Sequence, residues 1–234
     1  MKPKYSQPKE ATLSPLQLAD GLVCPDCVWP TVFIETNGAD LRNGDHAATV
    51  RVNAAIESAL ALVHDGPTLG QTLLKVHVGE PLCSTRLRSE FMRGSARFLR
   101  SRGASGVVAG DTTVAYSGPR GHKENPPQDV SVYRHLARRN GWGRNGPARV
   151  PFVVLDRPCS CADGEFAFDE QERVLCVDGV ERFKDFFVAD GFASADFIIN
   201  QPHLTLHGLA GLAGCVKGIA MGGASLRGKL RMHQ

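Results

Sequence analysis

The chain has 234 residues, 42% of them hydrophobic and 22% charged, which suits one large globular domain with its own apolar core. Its 27 basic and 24 acidic residues leave a net charge of only +3, too little to point to nucleic acid as a partner. No run approaches the ~18 uninterrupted apolar residues of a membrane span, so no membrane partner is expected.

Residues 1–30 read as an N-terminal arm. The first ten are polar and proline-containing, with no apolar stretch behind the positive charges, unlike a secretion signal. Seven cysteines, an odd number, then fit a reducing, cytoplasmic setting better than a disulfide scaffold. Cys24 and Cys27 have C-x-x-C spacing but lack a clear strand before and helix after, so a redox or half-metal role there rests on spacing alone.

Residues 31–234 read as one α/β domain. A short strand is expected over 31–35, then a helix over 46–64 stopped by Asp65-Gly66-Pro67. The apolar run 73–78, broken by Lys75 and His77, reads as a strand entering a functional loop. Phe91, Ser95, Phe98 and Leu99 predict a helix face, and Gly103 a C-terminal stop. The arginines at 86, 88, 93, 97, 100 and 102 read either as a solvated helix face or as an anion-binding run. Strand 106–109 follows directly, an order that favours parallel pairing. A helix over 132–140 and strands over 150–156, 173–177, 183–188 and 197–199 complete the pattern, with a loop over 159–164. The expected fold is therefore a Rossmann-like α/β domain, with a mostly parallel central sheet and flanking helices. Ligands in such sheets sit at the carboxyl ends of the strands.

Several short blocks resemble one family. Lys75-Val76-His77-Val78-Gly79-Glu80-Pro81 resembles the K-V-H-F-G-E opening of the DUF362 family. Gly110-Asp111-Thr112-Thr113, with Tyr116, Gly118 and Arg120, resembles the family's next loop. The segment 202–211 resembles P-K-L-K-T-H-x-x-T-G or S-H-F-K-G-H-x-x-x-G, and 214–217 resembles G-A-x-K. Residues 221–230 resemble M-G-C-A-S-x-x-G-K-L, and His233 matches the histidine of a closing Q-H-S. Departures accompany the matches: His203 and Thr205 replace a family lysine pair, and Gly223 replaces a frequent cysteine. The resemblance implies a Rossmann-like fold and kinship with proteins described as iron–sulfur cluster-binding. Longer members carry a ferredoxin-like module with C-x-x-C-x-x-C ligands. This sequence has no such run before Gln234, so it reads as truncated at that end. A 4Fe–4S cluster is then expected only in a longer relative or a partner, and a ferredoxin-like module or subunit is an expected partner.

The residues themselves permit several chemistries. His77, His203, His207 and His233 are candidate ligands for a divalent metal, or ordinary structural histidines. His203 and His207 would share a face if 202–207 were helical, with Pro202 suited to the first turn. The H-x-x-x-H spacing lacks the glutamate of a zinc peptidase. Lys217 is the candidate cation for a small anionic ligand. Gly214, Gly222, Gly223, Ser225 and Lys229 are candidates for a backbone nest around that anion, or for tight packing and turns. Glu80 and Asp111 follow strand candidates and could orient a histidine, bind a metal or exchange a proton, and Thr112 and Tyr116 could add hydrogen bonds. The catalytic set expected from this reading is His77, Asp111, His207 and Lys217. Two functions follow: a metal-dependent or iron–sulfur-associated redox enzyme acting on a small anion, or a non-catalytic ligand-binding or electron-transfer accessory domain.

Overall fold

The computed structural model describes residues 57, 69–83, 86–115, 120, 130–156, 159–160, 166–167, 173–176, 185–208 and 211–233. The expected arm 1–30, Cys24 and Cys27, strand 31–35 and, apart from helical Glu57, helix 46–64 lie outside these residues, as do Tyr116 and Gly118.

The centre is a four-stranded, all-parallel sheet. Its strands are β1 (Gln71–Lys75), β2 (Gly106–Asp111), β3 (Phe152–Val154) and β8 (Phe197–Asn200), in the order β3-β2-β1-β8. Parallel strands need long crossovers, and helices supply them here: α1 (Glu90–Ser101) joins β1 to β2, and α2 (Ser131–Arg139) joins β2 to β3. The expected α/β fold is present.

Side-chain alternation divides the core between the two faces of this sheet. Leu74, Val76, Val107 and Ala109 join Met92, Ala96 and Leu99 of α1 and Tyr133 and Leu136 of α2 in one cluster. Leu73, Leu155 and Ala189 form a second, with Val108, Phe192 and Ile198 packed against it. A strand buried on both faces has no polar alternation, which is why Leu73 and Leu74 stand side by side in β1.

Helix α1 buries Met92, Ser95, Ala96 and Leu99, while Phe91 and Phe98 only flank the core. Arg93, Arg97, Arg100 and Arg102 lie on its exposed side, so these arginines are a solvated face. Gly103 ends the helix with φ +95° and open space where a Cβ would stand. Gly103→Ala is therefore expected to cost about 1 kcal/mol through backbone strain alone, measurable as a lowered urea midpoint with unchanged slope.

Four further short strands pair antiparallel outside the main sheet. They are β4 (Cys159–Ser160) with β5 (Phe166–Ala167), and β6 (Arg173–Cys176) with β7 (Asp185–Val188). The expected loop over 159–164 thus begins as a strand. A four-residue helix, α3 (Asp190–Ala193), leads to β8.

Beyond β8 the chain forms β9 (Thr205–His207) and β10 (Gly211–Ala213), an antiparallel hairpin with His207 opposite Gly211. A helix through 202–207 is therefore excluded. Gly208 and Gly211 each disfavour helix by about 1 kcal/mol, and Gly211 adopts φ +65° at the turn. Two helices close the fold: α4 (Cys215–Gly223) and α5 (Leu226–Met232). Ser225 caps α5 by accepting from Gly228 N–H at 3.2 Å.

Candidate functional site

The strand order reverses beside β1, since β2 and β3 lie on one side of it and β8 on the other. In open parallel sheets the loops on the two sides of such a reversal diverge and leave a crevice at the carboxyl ends of the strands, the usual ligand position. Helix α4 lies over this crevice. Gly218 sits against the Asn200 side chain and Gly222 against Lys75: a Cβ added at either would come within 2.8 or 3.0 Å of those groups. Asn200 Nδ2 also donates to the Cys215 carbonyl at 2.8 Å, fixing the start of the helix. The glycines of this segment thus allow close approach of a helix to charged side chains.

Beneath α4 is a buried ionic network. Lys75, 3% exposed at the end of β1, donates to Asp111 Oδ1 at 2.9 Å and to the Val76 carbonyl at 2.6 Å. Asp111, 4% exposed at the end of β2, accepts through Oδ2 from Val78 N–H at 2.9 Å and faces Arg120 at 3.5 Å. Burial pushes the Asp111 carboxyl up, but Lys75, Arg120 and the Val78 N–H outweigh it and hold the group well below the carboxylate range. Arg120 also pairs with Glu80, through Nε at 2.9 Å and through its terminal nitrogen. Its backbone is tied to α2, because Tyr133 Oη donates to the Arg120 carbonyl at 2.9 Å.

His77 belongs to this network. Its residue surface is exposed, yet protein packs densely around the ring, so desolvation, with Arg120 and Lys75, lowers its pKa against the opposing pull of Asp111. Gly79 N–H approaches Nδ1 at 3.1 Å and the Arg120 guanidinium approaches Nε2 at 3.2 Å. A neutral imidazole accepts at only one nitrogen, so one approach is a hydrogen bond and the other sets donor against donor. Protonating the ring would make both unfavourable. The surroundings therefore favour neutral His77.

A second buried group adjoins the first. Lys229 of α5, 7% exposed, donates to Thr112 Oγ1 and to the Ala224 carbonyl, both at 2.7 Å. Thr112 Oγ1 donates in turn to the Gly222 carbonyl at 3.0 Å, which ties β2 to both closing helices. Asp156 accepts from Thr113 N–H at 2.7 Å and Thr113 Oγ1 at 2.6 Å. Burial lowers Lys229 to about 8, partly offset by the negative charges of Asp156 and Asp111.

Lys217 differs from these cations. It is half-buried on α4, and burial and the Lys75 charge lower its pKa, with Asp111 opposing. Among the described residues its amine makes no hydrogen bond or ion pair, whereas Lys75 and Arg120 are both paired with carboxylates. His207 of β9 stands near it, and His233, which caps α5, stands near His207. Desolvation, Lys217 and His233 together lower the His207 pKa.

The remaining candidates separate from this crevice. His203 is exposed ahead of β9, and Gly214 is the residue before α4. Gly223 packs against Phe192, where a Cβ would come within 2.9 Å. The Gly228 and Lys229 N–H groups are used by Ser225, and the Ser225 N–H by the Phe187 carbonyl, so the stretch 225–229 is a helix cap and not a nest. His77 meets N–H donors at both nitrogens, which leaves its ring no free lone pair for a metal ion. Among the described residues no group of three or more His, Cys, Asp or Glu side chains is placed to hold an ion.

Reading from sequence passed over Lys75, Arg120, Thr113, Asp156 and Tyr133 as site residues. A lysine interrupting a strand that is otherwise apolar was the available signal for Lys75, since a buried lysine needs a partner. Tyr133 gave none, because a tyrosine on an apolar helix face reads as core.

Comparison with known proteins gives one match. The model of a family described as a domain of unknown function (DUF362) matches residues 72–234. No curated protein and no solved structure matches the chain.

Proposed function

Because the chain belongs to the DUF362 family, whose matched region contains every group of this crevice, we propose that the domain binds a small anionic molecule there and performs proton transfer on it. One observation carries the reading: Lys217 is a half-buried cation without a partner among the described residues, set near Lys75, which has one. An anion beside Lys217 supplies the missing charge. His207 and His233 add hydrogen-bond donors, and protonation of His207 strengthens as the anion arrives. Lys75, fixed by Asp111, contributes positive potential from below without leaving its ion pair. His207, which takes up a proton as the anion arrives, is the group suited to pass it to the bound molecule.

The test is a calorimetric titration of the full chain with inorganic phosphate, sulfate and oxalate. Saturable binding of at least one is expected, tightening as pH falls below the ordinary imidazole value of 6.5, because His207 takes up a proton on binding. Lys217→Met should weaken it about tenfold or more, the loss of one hydrogen bond to a charged group, and leave the unfolding midpoint unchanged. Equal affinity in that variant would remove the crevice from consideration. The same geometry serves a non-catalytic ligand-binding domain. Turnover of a bound oxo- or hydroxy-acid by this chain alone, lost in His207→Gln, whose amide still donates to the anion, separates enzyme from accessory.

A further inference from the structure

Helices α1 and α2 bury their apolar sides in one cluster on the same face of the sheet, because the crossovers from β1 to β2 and from β2 to β3 step in the same direction. Their outer sides therefore form one surface. It carries Arg93, Arg97 and Arg100 of α1 and Arg134, Arg138 and Arg139 of α2, all exposed. Among the described residues none of these arginines is in an ion pair. Glu90 is the one acidic residue of the two helices, and it faces Arg88 at 4.0 Å. The near-balance of 27 basic and 24 acidic residues in the whole chain thus hides a strongly positive layer.

The helix dipole accounts for cations in a last turn, as at Arg100, Arg138 and Arg139, but not for Arg93, Arg97 or Arg134. Arg93 with Arg97, and Arg134 with Arg138, are like charges four positions apart, which destabilise a helix in the free chain. A polyanion laid across the face relieves that repulsion.

The chemistry of the face selects among polyanions. None of the exposed large apolar side chains belongs to α1 or α2, so the face has neither an anchor for a bilayer nor the apolar centre of a protein interface. All its cations are arginines, whose planar fork grips a phosphodiester at two points, whereas a charged bilayer attracts lysine equally. Nor does either helix expose an aromatic ring on which the bases of a single strand could stack. The stripe from Arg93 to Arg100 is about 10 Å long and neighbouring helix axes lie about 10 Å apart, an area over which a duplex presents several phosphates.

We infer that this face binds the phosphodiester backbone of a nucleic-acid duplex without reading its base sequence. The inference does not depend on the anion-binding crevice, whose groups lie on α4, β9 and the strand ends.

The experiment follows the fluorescence anisotropy of a labelled DNA duplex of about 20 base pairs, titrated with the full chain at salt concentrations from about 50 to about 200 mM. Saturable binding is expected, weakening roughly a hundredfold over that range as about four phosphates are neutralised. Duplexes of unrelated sequence should bind within about twofold of one another. The double variant Arg97→Gln/Arg134→Gln should lower the slope of log affinity against log salt by about two. Its unfolding midpoint should not fall, because each change removes a like-charge pair. Arg173→Gln takes one charge from an arginine held by Asp190 outside this layer and should leave the slope unchanged. An unchanged slope in the double variant, or phosphatidylserine vesicles or polyglutamate bound as tightly as the duplex, would overturn the assignment.

Discussion

Asp111→Asn should be among the most destabilising single changes in the described domain, lowering unfolding free energy by about 3–5 kcal/mol. That is the usual cost of removing one partner from a buried ion pair. Asparagine keeps the size and one acceptor, but it leaves Lys75, 3% exposed, and Arg120, 2% exposed, facing an uncharged amide. It also puts an NH2 group near either Val78 N–H or Lys75, and both of those are donors. Urea unfolding measures the loss. Adding Lys75→Met to the variant should recover part of it, because the stranded charge is removed with its partner; equal stability of single and double variants would mean the pair is not coupled. The same linkage has a pH sign. The folded-state pKa of Asp111 is depressed below its ordinary 3.8, so its contribution is fully present above that value and is lost as pH falls below it.

Gly228→Ala should also destabilise, by about 2–3 kcal/mol, although helix propensity alone predicts a gain of about 1 kcal/mol at a helical glycine. Packing decides the sign. An added Cβ would stand 2.3 Å from the Phe187 carbonyl oxygen, which is backbone and has no rotamer to yield. That oxygen already accepts from Ser225 N–H at 3.0 Å, so displacing it loosens the cap of α5 as well. Thermal unfolding gives the measurement. A raised midpoint would mean that α5 can move away from β7 without cost.

The central sheet was legible because its signal is local. A short apolar run flanked by glycine, as in β1 and β2, needs no distant information to read as a buried strand, and the helices between them fix parallel pairing. The hairpin β9–β10 was not legible as such. The spacing of His203 and His207 suits a helix face, and only the cost of two glycines argues against it. Asp111, Lys217 and His77 were visible as chemistry-bearing residues beside strand ends. Their partners were not, because Lys75–Asp111 and Thr112–Lys229 bring together residues 36 and 117 positions apart. Nor does composition separate a glycine that binds an anion from one that admits a neighbouring helix. Gly222 and Gly228 have the same sequence context of small residues and lysines, and only their contacts, with Lys75 and with the Phe187 carbonyl, show that both serve packing.

Helix α4 has three glycines in nine residues and is held chiefly by what lies beneath it and after it. Such a segment has little tendency to form alone, so α4 depends on its neighbours, among them α5, whose Lys229 donates to the Thr112 hydroxyl that also meets the Gly222 carbonyl. A chain that had folded β1 through β8 without α5 would still lack the surface we propose for the anion. Under the proposal above, anion binding would therefore report the seating of α4 and α5 and not merely the formation of the sheet.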